Sequence, residues 1–320
     1  MPRLSVQRLF EGRGERLGLA WAAGAAGAAR EFTGEMLRRP GVGLIGHLNL
    51  IHPLLVQVLG AAEIDYFSGL DAAAREQTAT RIAGGETLAV IVCDGLAAPT
   101  EIAVATAAAP TALFLSPEPS QHVINVLRPY LQLELGSVTT LHGVFLDVLE
   151  IGVLITGDSS IGKSELALEL ISRGHGLVAD DVVELQQIGP ETVQGRCPPM
   201  LRDFLEVRGL GVLNIRSIFG ETAVRPRKAL RLIVHLERPG AGSESRERLT
   251  TRSGTQQILD VEIPTVTLTV APGRNLAVLV EAAVRNYILI TRGIDSTKEF
   301  IARQSEAMRA EAGADEAPDG

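Results

Sequence analysis

The chain has few aromatic residues, few cysteines and no surplus of positive charge. Aromatic residues make up only 4% of its 320 residues while hydrophobic residues make up 46%, so the core must be mainly aliphatic. The formal net charge is −8, which argues against a broad nucleic-acid surface, because phosphate backbones require clustered lysine and arginine. The two cysteines, Cys93 and Cys197, make neither a disulfide framework nor a metal cluster, and we expect free, buried thiols in a reducing cytoplasm.

Long apolar runs are missing as well. Residues 17–29 are apolar, but they consist mostly of alanine and glycine and are too few to span a bilayer. Glu11 and Glu15 precede them among arginines, which is not the positive region of a signal peptide. We therefore expect a cytoplasmic protein with neither a membrane nor a nucleic acid as partner.

The order of apolar segments predicts an α/β protein with two domains. Residues 1–132 alternate strands with helices, for example a strand at 87–93, a helix at 101–109 and a strand at 111–115, which indicates a parallel sheet. Residues 54–60 are predicted to form a helix that ends at a glycine. Residues 133–306 form a second domain, and residues 307–320, which have almost nothing to bury, are predicted to be disordered.

Strands dominate the predicted second domain. We expect strands at 146–156, 176–179, 182–185, 230–236 and 266–270, followed by a helix at 276–289.

The most specific motif of the chain is a phosphate-binding loop. It follows the short apolar strand 152–156 and precedes a helical pattern at 165–171, and its residues fit G-x-x-x-x-G-K-S: Gly157, Asp158, Ser159, Ser160, Ile161, Gly162, Lys163 and Ser164. Backbone N–H groups of such a loop cradle phosphate oxygens. Lys163 is predicted to reach the β- and γ-phosphates, and the Ser164 hydroxyl is predicted to hold Mg²⁺.

Polar residues elsewhere could supply a reaction. Asp180 and Asp181 follow the apolar run 177–179, where a carboxylate can bind Mg²⁺ or take a proton from a hydroxyl; a solvated turn is the alternative. His142, taken alone, is a surface histidine. The segment 206–215 joins a carboxylate, an arginine and glycines that permit a tight backbone path near a ligand, although an ordinary surface loop has the same composition.

Together, in this order and spacing, these segments resemble the HPr kinase/phosphorylase family. The likeness covers about residues 35–300, and it is most specific in the second half. The segments that carry it are Arg39-Pro40-Gly41, Gln57 to Glu63, His142-Gly143-Val144, Gly157 to Glu165, Arg173-Gly174-His175, Leu177 to Asp181, Glu206 to Gly211 and Pro272 to Val278.

The resemblance implies an enzyme with two opposed reactions. One is the ATP-dependent phosphorylation of a serine in HPr, the small phosphocarrier of the sugar phosphotransferase system. In the other, inorganic phosphate attacks the phosphoserine and releases pyrophosphate. When this second reaction runs backwards, pyrophosphate replaces ATP as the phosphoryl donor. The resemblance also implies Mg²⁺, a homo-hexamer and a P-loop catalytic domain resembling phosphoenolpyruvate carboxykinase.

The resemblance further implies roles for single residues. Asp181 is expected to accept the serine proton during phosphorylation and to return it during dephosphorylation, as microscopic reversibility requires. His142, Lys163 and Arg248 are expected to be catalytic, and Ser164 and Glu206 to contact Mg²⁺. The local match around Arg248, Glu247-Arg248-Leu249-Thr250, is poor. Further site residues are Asp180, Arg208, Gly209, Gly211, Pro272, Gly273 and Arg274.

The chain departs from the family pattern at three positions. Ser160 stands where the loop usually has glycine, and serine tolerates a positive φ poorly. Gly176 replaces a basic residue after His175. Ala271 replaces an arginine in a stretch tied to dephosphorylation, where an arginine could hold phosphate through two hydrogen bonds.

Two other functions fit a phosphate-binding loop. A small-molecule kinase would need a narrow active site, whereas a protein substrate needs an open one. A nucleotide-sensing module without catalysis would be expected to lack the acidic pair, and this chain has both Asp180 and Asp181.

Overall fold

The protein has a mixed α/β fold, seen in a computed structural model that describes residues 2–39, 41–52, 54–239 and 253–315. Its internal contacts divide the chain into two compact units. The first comprises residues 1–138 together with 186–190, and the second comprises residues 139–185 together with 191–320. The sequence predicts a boundary at residue 132 and no return of the chain to the first unit.

The first unit is a three-layer α/β structure. In chain order its elements are β1 (Arg3–Ser5), α1 (Val6–Leu17), β2 (Ala20–Ala23), β3 (Glu31–Thr33), β4 (Gly43–His47), β5 (Leu54–Leu59), α2 (Ala61–Ser68), α3 (Ala72–Ala83), β6 (Ala89–Val92), α4 (Thr100–Ala108), β7 (Ala112–Leu115) and α5 (Ser120–Leu135). The sheet order is β2-β7-β6-β5-β4, in which β4 to β7 are parallel and β2 is antiparallel to β7. Helices α1 and α5 contribute to the core on one face, and α2, α3 and α4 to the core on the other.

The predicted parallel sheet of the first unit is confirmed, but the predicted helix at 54–60 is wrong. Those residues form β5, in which all six side chains are buried. A strand covered on both faces has a continuous apolar run instead of alternation, and a run this short has no periodicity that separates it from a helix.

The second unit is built around a larger sheet. Its elements are β8 (Val138–His142), β9 (Val144–Val148), β10 (Ile151–Gly157), α6 (Lys163–Ser172), β11 (Gly176–Ala179), β12 (Val182–Gly189), β13 (Thr192–Arg196), β14 (Phe204–Val207), β15 (Gly211–Asn214), α7 (Ile215–Phe219), β16 (Arg227–Glu237), β17 (Ser253–Ile258), β18 (Val261–Thr269), α8 (Leu276–Thr291) and α9 (Ser296–Asp315). Most of the strands follow the order β11-β9-β10-β16-β13-β12-β8, while β18 pairs with β16 and β17 with β18.

Three parallel strands of this sheet end at one edge. Strand β16 is parallel to both β10 and β18, so the chain leaves these strands on the same side, after Gly157, Glu237 and Thr269. Helices α6 and α8 pack on one face in the larger core of the unit, and strands β12, β13, β17 and β18 help to form the core on the other. Loops beyond the carboxyl ends of parallel strands are where α/β proteins bind ligands.

One predicted strand of the second unit is two strands. Residues 146–156, predicted as one strand, turn back at Leu149 and Glu150 and form the antiparallel hairpin of β9 and β10. Both turn residues have a positive φ, 51° and 67°, as two-residue hairpin turns require. Neither residue is glycine or asparagine, so the sequence carries no turn signal here.

Both cysteines are free and buried, as predicted. Burial raises the pKa of Cys93 to about 12 and that of Cys197 to about 11, so both remain protonated at neutral pH. Helix α9 continues to Asp315, past residue 307 where the sequence predicts the start of a disordered tail; residues 316–320 lie outside the described part. Among the described residues, no helix has both the length and the apolar character needed to cross a membrane.

Candidate active site

The phosphate-binding motif forms the turn between β10 and α6. Gly157 ends the strand with a φ of 139°, and Gly162 caps the helix with a φ of 102°. At Gly157 a Cβ atom would lie 2.5 Å from the carbonyl oxygen of Leu236, so only glycine fits there. Ser160 has a φ of 61°, the left-handed conformation that glycine adopts more easily. The departure noted in the sequence therefore falls on a strained position.

Lys163 lies within the loop. Its Nζ donates hydrogen bonds to the carbonyl oxygens of Gly157 and Asp158, at 3.0 and 2.9 Å. The ammonium group therefore sits above the turn that would hold phosphate. A phosphate oxygen bound by Lys163 would compete with these two carbonyl oxygens.

Asp180 is the centre of the carboxylate cluster. Its Oδ1 lies 3.4 Å from the hydroxyl oxygen of Ser164, and its Oδ2 accepts a hydrogen bond from the backbone N–H of Glu206 at 2.9 Å. Asp180 is 8% exposed. Burial raises its pKa, against the lowering effect of N–H donors from Glu206 and Asp181. One buried carboxylate thus joins the helix that follows the loop to the strand that carries Glu206.

Asp181 points to solvent beside His142. Its Oδ1 is 3.6 Å from Nδ1 of His142, and the two side chains are 78% and 80% exposed. The backbone oxygen of Asp181 accepts the N–H of Gly143 at 3.1 Å, which ties the two segments together. Asp181 has a φ of 63°, which turns the chain sharply between β11 and β12. The acidic pair is therefore split, with one carboxylate buried and its neighbour open to an incoming molecule.

Glu206 lies on a two-stranded ribbon. Strands β14 and β15 pair antiparallel with Glu206 opposite Val212, and a turn containing Arg208 and Gly209 joins them. Gly209 and Gly211 have φ values of 85° and 83°, so both glycines serve the tight backbone path expected from the sequence.

Arg216 forms ion pairs next to the start of this ribbon. The guanidinium of Arg216 on α7 donates to both carboxylate oxygens of Asp203, at 2.8 and 3.3 Å, and also pairs with Glu221. Asp203 immediately precedes β14, and its backbone oxygen accepts the N–H of Ile215 at 2.8 Å. Neither Asp203 nor Arg216 was predicted from the sequence as a site residue.

The remaining predicted residues come after β18 and after β16 in the chain, the two other strands that end at the same edge of the sheet. Pro272, Gly273 and Arg274 are exposed in the turn after β18, where Gly273 has a φ of 80°. Arg248, predicted to be catalytic, lies outside the described residues; the chain leaves β16 at Glu237 and the description resumes at β17.

Two further features of the second unit were not predicted. His235, on β16, lies beside Thr156 of β10, with 3.0 Å between its Nδ1 and the Thr156 hydroxyl oxygen. The signal that could have found it is its place near the carboxyl end of a predicted strand. Helix α8 is tied to the segment after α6 by Glu281, which accepts two 2.7 Å bonds from Arg173 and lies 3.0 Å from Nε2 of His175. These bonds, those from Arg173 foremost, lower the pKa of Glu281 to about 2.

The glycine at 176 leaves space for another cation. Arg225 packs across Gly176, and its Nε donates to Oδ2 of Asp147, which stands opposite Gly176 on β9, at 3.0 Å. Lys228 contacts the same oxygen at 3.0 Å. Within the described residues, Oδ1 of Asp147 is buried without a hydrogen-bond partner. Arg225 thus places a positive charge beside Gly176, where the family pattern has a basic residue at position 176 itself.

The sequence matches two protein-family models that together span nearly its whole length. Residues 4–131 match the model of the HPr serine kinase N terminus, and residues 133–304 match that of the HPr serine kinase C-terminal domain.

Several proteins of known sequence are similar along almost the full chain. A protein named HPr kinase/phosphorylase from Chromobacterium violaceum is 53% identical over 310 residues, which cover 97% of each chain. One of the same name from Neisseria meningitidis serogroup C is 52% identical over 310 residues, again 97% of each. The solved Hpr(Ser) kinase/phosphatase of Coxiella burnetii is 38% identical, with a TM-score of 0.46, and the match covers 51% of this chain and 98% of that one.

Proposed function

Because the chain belongs to the HPr kinase/phosphorylase family, we propose that it phosphorylates a serine of an HPr-like phosphocarrier with ATP and removes that phosphate by phosphorolysis. The observation that best supports this proposal is the link through Asp180. Its carboxylate lies against Ser164 at the phosphate-binding loop and accepts the N–H of Glu206, and the exposed Asp181 is its neighbour in the chain. One small region therefore offers phosphate binding, metal ligands and a base.

The residues present fit a bound Mg²⁺ ion. The Ser164 hydroxyl and the Glu206 carboxylate would hold it, and Asp180 would orient the Ser164 hydroxyl through the 3.4 Å contact. These are the hard oxygen ligands that Mg²⁺ prefers. Within the described residues, no group of three or more acidic, histidine or cysteine side chains could hold a metal alone. In proteins Mg²⁺ is usually bound by one or two carboxylates together with oxygens of the nucleotide phosphates and water. When bound, Mg²⁺ would neutralise charge that develops on the transferring phosphoryl group.

Asp181 is the proposed proton-transfer group. Its exposed carboxylate can accept the proton of a serine hydroxyl as the oxygen attacks the γ-phosphorus, and it can return that proton to the serine oxygen in the reverse reaction. His142, 3.6 Å away, would orient the carboxylate. Lys163 would exchange its bonds to Gly157 and Asp158 for bonds to phosphate oxygens.

The reverse reaction concentrates negative charge. Inorganic phosphate must approach a phosphoserine, so cations near the site lower the barrier. Arg274 and Arg248 are the proposed cations, with Pro272 and Gly273 shaping the turn that carries Arg274. Arg208, between Gly209 and the strand of Glu206, is a further candidate. Ala271 supplies no charge, so we expect a working kinase whose phosphorolysis is weaker than that of family members with an arginine at this position.

Three wider expectations belong to the same proposal. The catalytic unit would share its architecture with phosphoenolpyruvate carboxykinase, the protein would assemble as a homo-hexamer, and it would act in the cytoplasm. Light scattering on the purified protein tests the assembly directly.

The proposed function is tested by incubating the chain with MgATP and HPr and measuring phosphoserine by mass spectrometry. Lys163→Ala should reduce the rate by about a hundredfold or more, the usual cost of losing a transition-state contact. Lys298→Ala, which changes an ammonium group that is 84% exposed on α9, is the matched control and should retain full activity. Phosphorylation of small metabolites but not of HPr would favour a small-molecule kinase, and ATP binding without transfer to any acceptor would favour a sensor.

A further inference from the structure

A group of exposed apolar side chains lies on the segment that carries Glu206. We call it the apolar patch; its members are Met200, Leu201, Phe204, Leu210 and Val212, with exposures of 92%, 41%, 41%, 65% and 65%. All five come from residues 200–212, and Phe204 and Val212 are diagonal neighbours across the ribbon. Single exposed apolar residues are common on protein surfaces, but several on one short segment indicate an interaction site.

The apolar patch arises because the ribbon of β14 and β15 has one buried face and one exposed face. Leu205 and Val207 of β14 are buried in the core that α6 shares, whereas Phe204 and Glu206 face outward. Val212 stands directly opposite Glu206 on β15, so both side chains lie on the outer face. A ribbon with one buried face is normally polar on the other. Here the outer face carries the apolar Phe204 and Val212 beside the proposed metal ligand Glu206 and the helix-capping Asn214.

The same ribbon is bonded to the proposed catalytic carboxylates. The backbone N–H of Glu206 donates to Asp180, and Asp181 is 78% exposed, so the site opens toward solvent instead of enclosing a small molecule. A serine that reaches Asp181 as part of a folded protein must cover the surface next to it. Arg202 and Arg208 are exposed within the segment and supply a polar rim, which is the usual composition of a protein interface.

We propose that the apolar patch docks the HPr-like acceptor protein and so determines the affinity for the protein substrate. This inference rests on the proposed function, because it assigns the acceptor of that same site. The patch is continuous with the site, because Phe204 and Val212 share a ribbon face with Glu206, whose backbone N–H bonds to Asp180 next to the exposed Asp181. MgATP is held by the loop and the metal ligands, so the acceptor protein is the substrate that has to cover the apolar side chains beside them.

The test is the double variant Leu210→Ser/Val212→Thr, which removes apolar surface while the threonine keeps a β-branched residue in the strand. The KM for HPr should rise by about five- to thirtyfold, the range for truncating central interface residues. The affinity for MgATP, measured by titration calorimetry, should stay unchanged. Val104→Ser on α4 is the matched control, since Val104 is 64% exposed in the first unit, and its KM for HPr should equal that of the unmodified chain.

The outcomes separate this inference from the proposed function. If the unmodified chain transfers no phosphate to HPr, both proposals are wrong. If it does, but the double variant keeps the same KM for HPr, the docking proposal alone is overturned. A double variant that changes its oligomeric mass in light scattering while its KM for HPr stays the same would assign the patch to a second copy of this chain, which also overturns it.

Discussion

Replacing Asp181 by asparagine should separate catalysis from folding. The amide keeps the size and shape of the side chain but cannot accept a proton at neutral pH. General-base catalysis usually contributes about 10²- to 10⁴-fold, so phosphorylation of HPr should fall by at least about a hundredfold.

The structure also predicts what this substitution leaves intact. Asp181 is 78% exposed, and among the described residues its one ion-pair contact is with Nδ1 of His142, at 3.6 Å. An exposed pair of this kind contributes less than about 1 kcal/mol. The backbone φ of 63° is a conformation that asparagine adopts readily, whereas alanine there would cost about 1 kcal/mol or more. The asparagine variant should therefore melt within about 2 °C of the unmodified protein, and the alanine variant below it.

Three measurements decide this prediction. They are the rate of HPr phosphorylation, the affinity for MgATP and the melting temperature, each for Asp181→Asn and Asp181→Ala. A rate that stays within a few-fold of normal would refute the assignment of Asp181 as the base. Loss of MgATP binding would instead make Asp181 a metal or structural residue, and Asp180 would become the better candidate for the base.

Three further predictions concern metal, direction and pH. Glu206→Ala should raise the Mg²⁺ concentration needed for half-maximal rate in both directions, whereas Glu262→Ala, an exposed glutamate on β18, should not; identical Mg²⁺ titrations for the two variants would reject Glu206 as a ligand. Ala271→Arg should selectively increase pyrophosphate release at fixed phosphate, and an equal gain in both directions would contradict the charge argument. The pKa of Glu281 is about 2, below its usual 4.5, so its bonds to Arg173 stabilise the fold fully above pH 4.5, and this contribution is lost as pH falls toward 2. Glu281→Gln should accordingly lower the melting temperature by roughly 2–4 °C at pH 7, and a difference from the unmodified protein that stays constant down to pH 2 would show that this pair does not matter.

Long periodic or strongly apolar segments were predictable from the sequence. Helix α8, the strand before the phosphate-binding loop, the helix after it and the parallel sheet of the first unit all follow from local pattern. Two of the failures, at 54–59 and at 149–150, each have a local physical cause. Burial on both faces removes alternation, and a hairpin turn built from Leu149 and Glu150 lacks the residues that normally mark a turn.

The candidate site was predictable only as a set of residues, not as an arrangement. The sequence placed Asp180 and Asp181 side by side, but it could not distinguish the buried from the exposed carboxylate, because that depends on how the folded chain turns at Asp181, where φ is 63°. The contact of Asp180 with Glu206 spans 26 residues of chain. Such a link is set by tertiary packing and leaves no signal in local composition.

The glycine at 176 has a consequence for how this chain could have diverged. A Cβ atom there would lie 3.1 to 3.5 Å from the side chain of Arg225, so a larger residue requires that side chain to shift where it bonds to Asp147. Restoring a basic residue at 176 alone would crowd the same acceptor with a third cation, and removing Arg225 alone would leave Lys228 as the remaining partner of a buried carboxylate. We therefore expect substitutions at positions 176 and 225 to be non-additive, because both positions act on the same buried carboxylate.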